Sequence, residues 1–208
     1  MLQSCVSYTA RELRPRDASQ MMAVNEKDRM FIGATYQTDP GWQKSYLSQV
    51  VSEDNILPVE VHMQNLNPNV ADRDFSFLIE SESAVLRLAN GTEIRQINVR
   101  DVIRKAEYSQ FRSYCWGVLL IVPGVIVWAS VSDANVALAD DYRDKVLRNR
   151  RFPAGNETNV DKLLFFQPQA SLKKLDLRDA NLVIPVTRRG GGETGVLEER
   201  RIPLTRGN

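Results

Sequence analysis

Histidine and cysteine are scarce in this sequence. His62 is the only histidine, and Cys5 and Cys115 are the only cysteines among 208 residues. Structural zinc sites are built from sets of such ligands at short spacings, and disulfide scaffolds need several cysteine pairs. The sequence therefore predicts neither a His/Cys zinc site nor a disulfide framework.

An excess of charge of one sign is also lacking. Lysine and arginine number 27 against 26 aspartates and glutamates, so no overall field directs the protein towards nucleic acid. Short basic pairs occur at 150–151, 188–189 and 200–201, and we interpret them as solvated surface. With 43% hydrophobic residues, the chain has an ordinary globular composition that can bury a core.

The sequence contains no recognisable catalytic arrangement. His62 falls on the polar face of a predicted strand without a Ser or Cys elbow, so we interpret it as a surface histidine. The glycines at 190–192 are not followed by the Lys-Ser/Thr of a phosphate loop. A polar loop contains Asn67, Asn69, Asp72 and Asp74. It lacks the glycine and the closing glutamate of a calcium loop. We therefore predict a non-enzymatic protein with no cofactor, no metal and no small-molecule substrate.

The N-terminus carries the first positive signal. Leu2-Gln3-Ser4-Cys5 matches the Leu-x-small-Cys pattern of a bacterial lipoprotein processing site. A complete signal has a basic start and an apolar run, and only Met1 precedes Leu2, so either the start has been trimmed or the match is accidental. We predict that residues 1–28 are a tether with a lipid anchor at Cys5. The alternative is a disordered tail with an inert thiol.

Short β-branched and aromatic runs separated by Gly, Pro, Asn and Asp clusters predict a mainly β fold. Val59, Val61 and Met63 alternate with polar residues, which gives one apolar face. Asn90-Gly91 lies between two runs and predicts a tight hairpin. Strands are predicted at 30–37, 56–65, 74–80, 84–88, 92–98, 160–167 and 175–186, with a short one at about 196–204. We expect an immunoglobulin-like antiparallel β-sandwich formed by residues 29–98 and 153–208.

Residues 99–152 lie between the predicted strands at 92–98 and 160–167, and they differ from the strands in composition. Their centre, 113–132, contains no charged residue, whereas both flanks are highly charged. Pro123-Gly124 is a helix breaker followed by a permissive turn residue, so we predict an apolar hairpin of two helical arms that meet there. The predicted contact residues are Trp116, Val118, Leu119, Leu120, Ile121, Pro123, Gly124, Val125, Ile126, Val127 and Trp128.

Three environments suit this predicted hairpin. It can enter one membrane leaflet, because each arm of about ten residues is about 15 Å long, or half the hydrocarbon core. Trp116 and Trp128 flank the tip as interfacial tryptophans do. It can instead pack on its own sandwich, on a second copy or on a protein partner. A single span is the third option, but it would put the strands on opposite sides of the membrane.

The order of these features resembles bacterial envelope lipoproteins of unassigned function, whose immunoglobulin-like domain is interrupted by an apolar, usually glycine-rich, helical hairpin. The resemblance rests on Cys5, the lead at 99–104, the Asp-Asp-Tyr-Arg exit at 140–143, and Phe-Phe-Gln-Pro at 165–168. It covers the chain from Cys5 to about Val186. The apolar segment here has only two glycines, Gly117 and Gly124.

Two functions follow as expectations. The first is a lipid-anchored structural or adaptor module of the bacterial cell envelope, facing the periplasm, whose hairpin contacts membrane lipid or a protein partner. The second is a subunit of a larger envelope secretion or transport assembly, in which the hairpin docks into partner helices.

Overall fold

A computed structural model describes residues 8–13, 24–27, 29–65, 76–107, 121–152, 159–190 and 193–207. The strands in these ranges are β1 (Val24–Lys27), β2 (Met30–Tyr36), β3 (Leu57–Asn65), β4 (Ser76–Ile79), β5 (Val85–Arg87), β6 (Glu93–Arg95), β7 (Arg150–Phe152), β8 (Asn159–Phe166), β9 (Asn181–Gly190) and β10 (Glu193–Arg206). The α-helices are α1 (Pro40–Leu47), α2 (Val99–Ala106) and α3 (Ile121–Lys145). The mainly β class is confirmed, with 42% strand against 29% helix.

The strands form one curled, mixed sheet. Its main path runs β6-β5-β9-β10-β2-β3-β8, while β1 pairs with β2, and β4 pairs with β7 and β9. Every pair is antiparallel except β10 with β2, where Leu204 lies opposite Ala34. The backbone N–H of Ile97, just after β6, donates to the carbonyl of Phe165 in β8 at 2.9 Å. The two ends of the path therefore approach each other.

The prediction of an immunoglobulin-like antiparallel sandwich is not confirmed. The described strands belong to one ten-stranded sheet with a parallel pair, not to two facing antiparallel sheets. Strand β10 causes the difference, because its first part pairs with β9 and its last residues pair with β2. The hairpin at Asn90-Gly91 is confirmed, since β5 and β6 are antiparallel neighbours and Gly91 adopts a φ of 83°, which glycine tolerates.

The main core fills the inside of the curl. Val59, Val61 and Met63 of β3 are at most 1% exposed and point inwards, as their alternation predicts. The same cluster includes side chains from the other strands and from the segment after α3: Ile32, Leu86, Leu147, Phe152, Phe166, Ile184 and Ile202. Leu147 and Phe152 belong to residues 99–152, so the end of that segment contributes to the main core.

A second core lies on the outer face of β8. Leu163 and Phe165 of β8 pack with Tyr142 of α3, Val102 of α2 and Leu47 of α1 in one buried cluster. Each of the two shorter helices has an N-cap side chain. Asp39 accepts a hydrogen bond from the backbone N–H of Trp42 in α1, and Asn98 accepts one from the backbone N–H of Arg100 in α2. The three helices therefore cover the face that the curl leaves outside.

Helix α3 runs without interruption through Pro123 and Gly124. The chain consequently does not reverse at these two residues, contrary to the prediction. The predicted hairpin is not confirmed, because its first arm lies outside the described residues. None of the described helices is long and apolar enough to cross a membrane.

Candidate functional site

The predicted contact residues fall into two groups. Cys5, Trp116, Val118, Leu119 and Leu120 lie outside the described residues, as does Cys115. The others lie in the N-terminal half of α3, where the backbone is helical: Ile121, Pro123, Gly124, Val125, Ile126, Val127 and Trp128. Helix α3 therefore carries every part of the predicted contact segment that the structure describes.

The two halves of α3 differ in composition. Four buried residues recur at helical spacing, each at most 4% exposed: Val131 near the end of the first half, and Ala134, Leu138 and Tyr142 in the second. In the first half, residues 121–132 include no charged side chain, and Asp133 is the first charged residue of the helix. Residues 121–132 extend about 18 Å along the helix axis. One continuous helix thus joins an apolar segment to a firmly packed one.

The packed half of α3 is held by polar contacts as well as by apolar burial. The ring of Tyr142 stacks on Phe165 at a centroid distance of 5.9 Å, and its hydroxyl donates to the carbonyl of Leu47 at 3.0 Å. The ammonium of Lys145 is buried, and it donates to Asp141 at 2.6 Å and to the carbonyl of Tyr46 at 2.7 Å. Helix α3 is therefore fixed to α1 and β8 at its C-terminal end.

A buried polar cluster occupies the outer face of β3 and β8. Glu60 and His62 are two residues apart on one face of β3, and Asp161 of β8 lies directly opposite His62. Glu60 is 3% exposed, His62 2% and Asp161 9%. The interpretation of His62 as a surface histidine is therefore wrong. Alternation along a strand shows which side chains share a face, but it does not show whether that face is covered.

The two nitrogens of the His62 ring face different carboxylates. Nδ1 contacts Oδ1 of Asp161, and Nε2 lies 3.8 Å from Oε2 of Glu60. Gln37, which is 1% exposed, donates from Nε2 to the same oxygen of Glu60 at 3.1 Å. The ligand atoms of Glu60, His62 and Asp161 all lie within 4.8 Å of one another, a spacing that could hold a metal ion.

A basic groove lies where the chain leaves α3. Two adjoining cavities, of about 420 and 360 Å³, share the lining residues Arg143, Val146, Leu147 and Arg148. The two arginines that line both cavities already have acceptors: Arg143 pairs with Asp140 at 2.9 Å, and Arg148 donates to the carbonyl of Arg143 at 3.1 Å. Since cations are favoured at a helix C-terminus, this groove has a structural explanation.

An exposed ion pair perturbs one carboxyl group outside these sites. The Arg178 guanidinium donates to both carboxylate oxygens of Asp176, at 2.9 and 2.7 Å. These hydrogen bonds lower the pKa of Asp176 from its ordinary 3.8 to about 2. The pair lies in the turn before β9 and contacts neither α3 nor the polar cluster.

Sequence reasoning missed the polar cluster because its members are far apart in the chain. Only the pairing of β3 with β8 brings Asp161 to His62, 99 positions away. The one available signal was the presence of a histidine and a glutamate on the same face of one strand. Comparison of the chain with protein-family models, with curated proteins and with solved structures gave no match in any of the three.

Proposed function

We propose that this chain is a non-enzymatic structural or adaptor module of the bacterial cell envelope that contacts one membrane leaflet through the N-terminal half of α3. A lipid at Cys5 provides the second attachment, for which the Leu-Gln-Ser-Cys pattern at residues 2–5 is the support. The observation that carries the proposal is the composition of α3, in which an uncharged first half continues into a half packed on the second core.

The energetic support comes from the apolar side chains in this segment. Fully burying a large aliphatic or aromatic side chain is worth about 1.5 to 3 kcal/mol. Residues 121–128 include Ile121, Val125, Ile126, Val127 and Trp128 within about two helical turns. Leaving such a set in water is unfavourable, so a lipid or protein surface is expected to cover it.

Topology favours entry into one leaflet over a crossing. Strands on both sides of α2 and α3 pair in the same sheet: β3 with β8, and β5 with β9. The segment between them therefore starts and ends on the same side of any membrane. The topology is therefore compatible with entry into one leaflet and not with a single crossing.

Flotation with liposomes tests the proposal. Vesicles of phosphatidylethanolamine and phosphatidylglycerol are mixed with the purified chain, with Val125→Asp and with Val136→Asp. Val136 is 59% exposed in the packed half of α3, so the same substitution there is a matched control. We expect the parent and Val136→Asp to float and Val125→Asp to remain at the bottom, because a carboxylate is costly in the apolar layer.

Three results would count against the proposal. Flotation of Val125→Asp with the parent would mean that residues 121–128 do not enter lipid. Loss of the folded circular dichroism signal in Val125→Asp would mean that these residues are internal core. If the parent does not float but co-purifies with an envelope protein complex, the docking role in a secretion or transport assembly is the better account.

A further inference from the structure

We propose that Glu60, His62 and Gln37 bind a divalent transition-metal ion of the zinc class, with Asp161 as the residue that orients His62. This site is independent of the proposed membrane contact. It lies on β3, on β8 and directly after β2, and it shares no residue with the apolar half of α3.

The first argument concerns the tautomer of His62. Contact of Nδ1 with the Asp161 carboxylate places a proton on Nδ1, because the carboxylate can only accept a hydrogen bond. The lone pair of the neutral ring is then on Nε2, the nitrogen that faces Glu60. A carboxylate behind one ring nitrogen and a metal at the other is the usual environment of a metal-binding histidine.

The second argument concerns distance. Nε2 of His62 and Oε2 of Glu60 are 3.8 Å apart, which is longer than the 2.7–3.2 Å of an N–H···O hydrogen bond. Two ligands at about 2.1 Å from a tetrahedral zinc ion are about 3.4 Å from each other. The separation of these two atoms thus fits a shared metal ion better than a direct hydrogen bond.

Gln37 supplies the third argument. Its Oε1 is buried and has no hydrogen-bond partner among the described residues, while its Nε2 is 3.1 Å from the same oxygen of Glu60. Since Oε1 makes no hydrogen bond to the described part of the chain, rotating the amide would break only the contact with Glu60, which a metal ion would replace. Rotating the amide by half a turn exchanges O and N. The oxygen would then lie beside the carboxylate of Glu60, where a metal ion between them would accept both as ligands.

The scaffold is suited to a preformed site. Glu60 and His62 lie on the same face of β3. Strands β2 and β8 are hydrogen-bonded to the two edges of β3. Gln37 follows β2, and its carbonyl accepts from the side chain of Gln43 at 3.0 Å. Ligands on paired strands with supporting hydrogen bonds keep their geometry without the metal.

The test uses the whole metal-stripped chain with Cys5→Ser and Cys115→Ser, so that no thiol competes for the metal. Zn²⁺ is titrated by calorimetry, and the ¹⁵N imidazole spectrum is recorded in parallel. Because His62 is the only histidine, every imidazole signal belongs to it. We expect one equivalent of Zn²⁺ to bind, the Nε2 signal to shift, and the Nδ1 proton to remain.

Variants separate the roles of the side chains. His62→Gln and Glu60→Gln should abolish stoichiometric binding, and Asp161→Asn should raise the Kd about 10- to 100-fold, as for other residues that orient a metal ligand. Asp144→Asn is the control, since this carboxylate is 89% exposed on α3 and should leave the Kd unchanged.

Two results would overturn the site. One is undiminished Zn²⁺ binding by His62→Gln. The other is an imidazole that carries both protons and does not respond to Zn²⁺, which would make the cluster a buried ion pair. The spectrum of the chain with native His62 decides between these states even if a cluster variant fails to fold.

Discussion

Tyr142 offers the most direct test of how α3 is attached to the domain. Its side chain is fully buried, it stacks on Phe165, and it donates to the buried carbonyl of Leu47. Tyr142→Phe keeps the ring but leaves that carbonyl without its donor, which should cost about 1 to 2 kcal/mol. Tyr142→Ala also removes the ring from the second core and should cost about 3 to 5 kcal/mol.

Urea unfolding measures both costs. Trp42 packs against the second core, so tryptophan fluorescence reports on this region, while far-ultraviolet circular dichroism reports on the whole chain. In a domain of this size, 1 kcal/mol lowers Tm by about 2–4 °C. Val136→Ala is the control, since its side chain is 59% exposed and the change should stay within about 0.5 kcal/mol. A cost below about 1 kcal/mol for Tyr142→Ala would refute the packing of α3 described above.

Two further predictions concern sites away from α3. Mass spectrometry of the protein from its own cells should find a lipid on Cys5, and an unmodified Cys5 below an intact Met1 would contradict the anchor. The carboxyl of Asp176 should titrate with a pKa of about 2 by NMR, and Arg178→Gln should return it towards 3.8. Because the folded pKa is lowered, this pair favours the folded state above pH 3.8, and its small contribution is lost as pH falls towards 2.

Much of the sheet could be predicted from local pattern. Alternation at Val59, Val61 and Met63 identified β3 and its inner face, and Asn90-Gly91 located the β5–β6 hairpin. Strands β1 and β7 were missed: at four and three residues they are too short to show a period, and no Asn-Gly turn marks them as it marks the equally short β5 and β6. The parallel pairing of β10 with β2 could not be predicted, because it depends on partners about 170 positions apart.

The polar cluster and the course of α3 were harder to predict, for different reasons. Burial of His62 depends on what covers the outer face of β3, and no local signal in the strand records that. Pro123 was interpreted as a break because proline disrupts helix interiors, but the described helix continues through it.

Strand β10 joins the two parts of the main path of the sheet. It alone connects β9 to β2 along the main path of the sheet, and it does so with residues 193–206. Until those residues have been synthesised, β9 and residues 34–36 of β2 lack their β10 partner and expose unpaired backbone, which invites pairing with other chains. Contacts between residues so distant in the chain also slow folding. The main path of the sheet is therefore complete only when residues 193–206 are present.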